Sequence, residues 1–559
     1  MPTAAPDPTV QPPPTGAASL AAALGVLNIQ RVYGQPGVHN LAAWSAIAAQ
    51  PIRMIGVRHE QTAVYAADGE TRTRGGLGVA LTTTGPGAAN AVSATGEAWA
   101  SGSPVLVLAT DIPTTLRRQG VYRGVLHEST DQGAMFDPVV KARFKASSAA
   151  EIGPLVLRAA AIATTAPMKP VYLEIPTDLL TTPIDTQVTP PETLPPPSYP
   201  VPSLASFTAA AELLVAARRP LIWAGGGAVR SDSSAAVGRL AELLGAPVIE
   251  TYQGKGLLPL GHPAKVAIGP HLPQIGGMWD DADVVIAVGT DFDGMMTQNW
   301  LMPQPPALIV VNVDEADAVK AYRPDVTLRG DAAPVLARLA EMVEAARQRP
   351  ADGFLGEVAA REAAARREVR EESAQAADFL ETMRGLPIGT SVVADMCIPG
   401  YWLGSFHPVA DPGGFAYPVG WGTLGSGFPL AIGASFATDG AAVAVCGDGG
   451  FLFACGELAM VAEERPPLTV LILDNGGYGM LRFDQVHAGQ KPLGVDLVRP
   501  DFVSLARSFG LTAHKVSDVG APLAGALTDA IASREPRVIT VDIEMTPPPN
   551  TSPRWYRQP

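Results

Sequence analysis

Residues 443–480, VAVCGDGGFLFACGELAMVAEERPPLTVLILDNGGYGM, decide how the rest of the chain is read. The apolar run 443–446 ends at Gly447-Asp448-Gly449-Gly450, and a helix-like run follows over 451–464. A second apolar run, 468–473, ends at Asp474-Asn475-Gly476-Gly477. Two short apolar runs separated by a helical one predict a parallel βαβ unit, because parallel strands need a long crossover.

Both strand ends of such a unit lie on the carboxyl edge of the sheet, so Asp448 and Asn475, 27 positions apart, can meet there. A carboxylate, an amide oxygen and a backbone carbonyl are hard oxygen ligands. They suit Mg2+ carrying a diphosphate better than zinc. Gly449 and Gly450 let backbone N–H groups approach phosphate oxygens. A lone Gly-Asp-Gly is usually an ordinary strand-to-helix turn; the asparagine at the second strand end is what turns the reading toward a cofactor site.

This pattern resembles the thiamin diphosphate motif of the family that holds acetolactate synthase, benzaldehyde lyase and the 2-oxo acid decarboxylases, and the resemblance runs from about residue 17 to near the end of the chain. It implies an α/β fold of three doubly wound parallel-sheet domains. It also implies thiamin diphosphate as cofactor, with Mg2+ held by Asp448, Asn475 and Gly477, and Gly449, Gly450, Asn475 and Tyr478 around the cofactor. By the same resemblance Leu424, in Gly422-Thr423-Leu424-Gly425, wedges between the cofactor's rings while the Gly422 carbonyl accepts from its amino group.

Thiamin chemistry also needs a carboxyl group on the pyrimidine ring. Glu60, in Arg58-His59-Glu60 between a short apolar run and an alanine-rich helix, matches the family's catalytic glutamate. An acid heading a helix is by default only a favourable charge. The following LGVALTTTGPGAANAV, with its Gly85-Pro86-Gly87 turn, matches the same domain and favours the catalytic role. His127, in Leu126-His127-Glu128, stands near a glutamine that faces the cofactor in acetolactate synthases; its ordinary pKa suits a proton shuttle. Gln35, ahead of a Pro-Gly turn, and Asp484 are further substrate candidates.

The 559 residues suffice for several domains. The expected division is a tail at 1–16, a pyrimidine-binding domain at 17–186, a proline-rich linker at 187–202 and a Rossmann-like central domain at 203–350. A charged helical connector at 351–380, a diphosphate-binding domain at 381–545 and a tail at 546–559 follow. The proline-rich start has neither a basic n-region nor an apolar core, so a disordered tail is expected rather than a signal peptide. Gly225-Gly226-Gly227 in the central domain lacks the G-x-G-x-x-G spacing, so FAD or another nucleotide there is possible but not favoured. Forty Lys and Arg against 54 Asp and Glu give a net charge of −14, which argues against nucleic acid or an anionic membrane as partner. Three scattered cysteines form no metal-like pair and suit a reducing cytoplasm.

The shared chemistry implied is attack of a C2 carbanion on a 2-oxo acid, loss of CO2 and an enamine. Protonation then gives an aldehyde, whereas a second carbonyl gives a carboligation product. Where acetolactate synthases carry a tryptophan that selects the second 2-oxo acid, this chain has Asp484. The segments VRHEQTAVYAADG, LHESTDQGAM, YPVGWGTLGSG and GDGGFLFACGELAMVAEE look most like the 5-guanidino-2-oxopentanoate decarboxylases of the family. A non-oxidative 2-oxo acid decarboxylase is therefore expected, with an acetolactate synthase-type carboligase as the alternative and a non-catalytic cofactor-binding subunit as a third. Glu60 and Asp448 fall on different domains, and in the family the cofactor sits between subunits. The resemblance thus implies a homodimer at least and a homotetramer as the usual form.

Overall fold

The computed structural model describes residues 14–118, 120–184, 198–346 and 354–550. The proline-rich linker and both tails lie largely outside them. The chain divides into two compact units, one formed by Met1–Asp68 with Gly76–Pro197 and the other by Gly69–Gly75 with Ser198–Pro559.

The first unit is built on β1 (Arg31–Gly34), β2 (Arg53–Gly56), β3 (Gly78–Thr82), β4 (Val105–Asp111), β5 (Ala142–Lys145) and β6 (Val171–Pro176), in the spatial order β2-β1-β3-β4-β6-β5. The second unit carries two sheets. The central one uses β7 (Pro220–Ala224), β8 (Val248–Glu250), β9 (Lys265–Val266), β10 (Val284–Val288), β11 (Leu308–Asn312) and β12 (Val326–Arg329), ordered β12-β11-β10-β7-β8-β9. The third uses β13 (Ser391–Ala394), β14 (Phe415–Ala416), β15 (Ala442–Gly447), β16 (Leu468–Asp474), β17 (Thr512–Val516) and β18 (Arg537–Asp542), ordered β14-β13-β15-β16-β18-β17.

Neighbouring strands in the three sheets pair in parallel. β4, β6 and β16 are buried at every residue, as expected when helices cover both faces. That double burial is why they read in sequence as runs rich in Val, Leu and Ile with no alternation of apolar and polar residues. The first and third sheets share one strand order. The central sheet has the order of a dinucleotide-binding fold. In each sheet the order reverses at one place, between β1 and β3, between β7 and β10, and between β13 and β15. That place is where ligand crevices of such sheets lie.

Two expectations need adjusting. The helix-like run 451–464 is a one-turn helix Asp448–Phe451, a 3-10 turn Cys455–Glu457 and a helix Leu458–Glu464; Gly449, Gly450 and Gly456 weaken continuous helix there. The connector is two helices, Phe354–Glu372 and Ala374–Arg384, because Ser373 leaves the helical region and its hydroxyl accepts from the Ala376 N–H at 3.2 Å as an N-cap.

At the central switch point the glycine turns are filled by backbone. A Cβ on Gly225 would strike the Gly289 carbonyl oxygen and lie 2.8 Å from the Thr290 Cα, and one on Gly227 would lie 2.8 Å from the Gly289 Cα. The Gly227 N–H donates to the Gly289 carbonyl at 2.8 Å. The glycines therefore serve close packing of two turns.

Candidate active site

In the third sheet the register pairs Cys446 with Ile472 and Gly447 with Leu473, so Asp448 and Asn475 leave the same edge side by side. The Asn475 N–H lies 3.4 Å from an Asp448 oxygen. Asp448 is buried and lies beside a second carboxylate, Asp474. Burial first, and the Asp474 charge after it, hold the Asp448 carboxyl above the ordinary carboxylate range. No cation among the described residues is bonded to Asp448. A buried carboxylate under like-charge pressure with no counterion fits a bound cation. Among the described residues no three His, Cys, Asp or Glu cluster as a metal set, so such an ion would take one carboxylate with amide and carbonyl oxygens.

Glycine makes this loop possible. A Cβ on Gly477, which has φ +144°, would strike the Val495 carbonyl, and one on Gly479 would strike the Asn475 amide. Arg482 donates to the carbonyls of Asn475 and Gly476, each at 3.1 Å, and pins the turn.

Next to this turn lies a cavity of about 260 Å³ whose walls include Gly422, Leu424, Gly449, Gly450, Asn475, Gly477 and Tyr478. Seven of the residues expected from sequence thus meet in one space. Gly449 leaves room for the Tyr478 ring, 2.7 Å from where a Cβ would stand. Gly450 leaves room for Leu424, at 3.1 Å on the same measure. Further walls come from Cys397, Ile398, Pro399 and Tyr401 at the start of the helix Ile398–Phe406, and from Met480 and Leu481 at the start of the helix Gly479–His487.

Sequence reasoning passed over Asp395. It is fully buried at the end of β13, and its carboxylate accepts from the Gly425 N–H at 3.0 Å and the Gly427 N–H at 3.3 Å. It thereby holds the loop that carries Leu424. Burial pushes its carboxyl up to about 6. An acid at a strand end opposite the Gly-Asp-Gly turn is the signal that could have found it. Asp484 lies one turn beyond Met480 on the helix Gly479–His487; it is exposed and outside the cavity wall. Its charge reaches Tyr401, whose hydroxyl is pushed up to about 12 by burial first, then by Cys397, Asp484 and Asp395.

In the first unit the Gly85-Pro86-Gly87 turn, at that sheet's switch point, gathers the expected groups. A Cβ on Gly87 would lie 3.2 Å from a Glu60 oxygen, and one on Gly85 would lie 2.8 Å from the His127 carbonyl. Glu60 and His127 therefore flank opposite ends of one three-residue turn. Asn90 donates to the other Glu60 oxygen at 2.9 Å. The Gly85 N–H donates to Gln132 at 2.6 Å, and Gln132 in turn donates to the Thr110 carbonyl at 2.9 Å and the Tyr172 hydroxyl at 2.8 Å. Gln35 is half-buried, and its carbonyl accepts from the Asn40 amide at 3.0 Å.

Three doubly wound sheets, a Gly-Asp-Gly to Asn turn pair and a glutamate packed against a Gly-Pro-Gly turn define a class. The models of the thiamine pyrophosphate enzymes match the chain three times: the N-terminal TPP binding domain over 14–135, the central domain over 207–339 and the C-terminal TPP binding domain over 397–541. The chain belongs to this family. It is 34% identical to the "Probable 2-ketoarginine decarboxylase" of Pseudomonas aeruginosa, over 90% of each chain. It is 31% identical to the "Probable acetolactate synthase large subunit" of Methanocaldococcus jannaschii, covering 95% of this chain and 92% of that one. The "Acetolactate synthase isozyme 3 large subunit" of Escherichia coli is 28% identical, covering 95% and 94%. No helix among the described residues is long and apolar enough to cross a membrane.

Proposed function

We propose that the chain is a Mg2+- and thiamin diphosphate-dependent decarboxylase that converts a 2-oxo acid to an aldehyde and CO2. The observation that carries this reading is the buried Asp448, with no cationic partner among the described residues, beside Asn475, which walls a cavity together with Leu424 and Tyr478. When bound, thiamin diphosphate supplies a nucleophilic carbon and an electron sink for the departing CO2.

The residues divide the remaining work. Asp448, the Asn475 amide oxygen and the Gly477 carbonyl ligate the metal, while Gly449 and Gly450 offer backbone N–H groups to phosphate oxygens. Leu424 shapes the cofactor, and the Gly422 carbonyl accepts from its amino group. Glu60, fixed by Asn90, holds a proton at the pyrimidine nitrogen. His127 moves a proton at the reacting carbon. Cys397, Ile398, Pro399 and Tyr401 exclude water. The packed glycines at the central switch point support a central domain without FAD. The working form is a homodimer at least, and we take it to be a homotetramer of the cytoplasm; the three unpaired cysteines support that compartment.

For the substrate we favour a 2-oxo acid with a cationic side chain, such as 5-guanidino-2-oxopentanoate. Asp484 has no ion pair among the described residues, and the 34%-identical relative named for 2-ketoarginine points the same way. The acetolactate synthases among the relatives support a second reading, carboligation to a second carbonyl. Mass spectrometry of products from a panel of 2-oxo acids, with thiamin diphosphate and Mg2+, separates the two. An aldehyde from one acid is the expected result; a 2-hydroxy-2-alkyl-3-oxo acid or hydroxyketone would replace the first reading by the second. Release of only the unreacted acids would sink both.

A further inference from the structure

One group beside the Gly85-Pro86-Gly87 turn is used by nothing above. His39 follows the turn after β1, and its imidazole meets that of His127 edge to face, with ring centroids 5.4 Å apart. Its backbone is fixed: Asn40, fully buried, accepts from the Gly37 N–H at 2.7 Å and donates to the Gln35 carbonyl, while the Thr177 hydroxyl donates to the His39 carbonyl at 2.6 Å. The His39 Nδ1 is buried and has no hydrogen-bond partner among the described residues. His127 is held in the left-handed region, at φ +67°, a conformation seldom adopted without cause by a residue with a side chain. Two imidazoles have thus been placed against one another beside a turn whose other end packs against Glu60.

The charges around the pair are otherwise committed. Asp111, at the end of β4, receives two bonds of 2.7 Å from Arg117 and one of 2.5 Å from Lys145. Lys145 also donates to Glu174 at 2.6 Å. Glu128, next to His127, accepts from the backbone N–H groups of Arg123 and Val125, each at 3.0 Å. Asp178, next to Thr177, accepts from the Thr114 N–H at 2.9 Å. Burial lowers the pKa of His39, the His127 charge lowers it further and Asp111 opposes them. Two protons on the pair are unfavourable, and one is not.

We propose that His39 is the positioning residue of His127: its ring packs edge to face against the His127 imidazole beside the Gly85-Pro86-Gly87 turn and sets the orientation in which that imidazole delivers a proton to the reacting carbon of the substrate. The inference rests on the decarboxylase reading. In the step itself an imidazolium N–H gives its proton to the carbon that has lost CO2, whose electron pair forms the new C–H bond. The ring is left neutral and is recharged from water.

The test uses full-length enzyme with isotope-labelled histidine, its ring C–H signals followed by NMR against pH, with His39→Phe and His127→Phe to assign them. The same variants are assayed for kcat and KM across pH. The His39 midpoint should rise in His127→Phe, where the competing charge is gone. His39→Phe, which keeps an aromatic edge, should shift the pH limb of kcat and lower kcat about tenfold or more, with KM changed less than about twofold. Rings that titrate alike with and without each other would overturn the pair. So would a His39→Phe enzyme whose kcat profile overlays that of the wild type. Failure of the decarboxylase reading looks different: wild-type enzyme releases no CO2 from any 2-oxo acid, and the NMR titration then decides the pair alone.

Discussion

The second unit presents two glycine-rich switch points that contrast. At the central sheet, Gly225, Gly227 and Gly289 let two turns close on each other, and the space left by the missing side chains is occupied by backbone. At the third sheet the space is taken by side chains instead: Gly449 faces the Tyr478 ring, Gly450 faces the Asp395 carboxylate and then the end of Leu424, and Gly422 has the tip of Met396 within reach, at 3.7 Å; Tyr478 and Leu424 wall a cavity. The charges differ as well. The closed edge buries Lys255, bonded to the His407 carbonyl at 2.9 Å, and neutralises Glu250 with Lys265 at 2.8 Å. The open edge buries Asp448 with no counterion. Glycine after a strand is therefore not in itself a ligand signature. What separates the two edges is whether the space is closed by main chain and whether a buried charge is left unpaired.

The largest effect should come from Glu60→Gln, which keeps the shape of the first-unit turn but removes its proton. We expect thiamin diphosphate binding within a few-fold of wild type and a loss of about 10²–10⁴ in kcat; unchanged turnover would remove Glu60 from the chemistry. Next, Gly225→Ala should cost about 1–3 kcal/mol of stability by overpacking the closed edge and leave cofactor affinity unchanged, whereas Gly449→Ala should weaken the cofactor more than the fold. Denaturant unfolding paired with cofactor titration checks both, and the reverse assignment would break the contrast.

Lys255 sharpens the comparison through pH. Complete burial lowers its pKa to about 8 in the folded chain, against about 10.4 in an unfolded one. Between these values the unfolded chain binds the extra proton, so stability rises with pH from about 8 to about 10. Lys255→Met should accordingly be more stable than wild type at pH 7 by about 3 kcal/mol, and the gap should close near pH 10. A gap independent of pH would show that the lysine is not desolvated. Smallest of all, FAD added to the protein should change neither melting temperature nor activity, as expected of a closed central edge.

The sequence made the sheets legible because parallel strands covered on both faces leave uninterrupted apolar runs, as in Val284–Val288 and Leu468–Asp474. Glycine turns and acids at the strand ends then marked the edges. Relations that fold across the chain were not legible. Asp395 reaches amides 30 and 32 positions away, and no local pattern announces that. His39 looks like any loop histidine until His127 is set beside it. The mutual packing of Gly225 and Gly289 needs both turns in place, so the triple glycine alone could not tell a closed crevice from an open one. The break at Ser373 was hidden because the charged connector is helical on both sides of it.

The most direct measurement is a titration of thiamin diphosphate with Mg2+, followed by circular dichroism, into wild type, Asp448→Ala and Gly225→Ala. Burial and Asp474 hold the Asp448 carboxyl above its ordinary range, so its charged form works against folding, and Asp448→Ala should fold at least as well as wild type at neutral pH. The account predicts saturable Mg2+-dependent binding to wild type and to Gly225→Ala, and none to Asp448→Ala. Wild-type affinity in folded Asp448→Ala would contradict it.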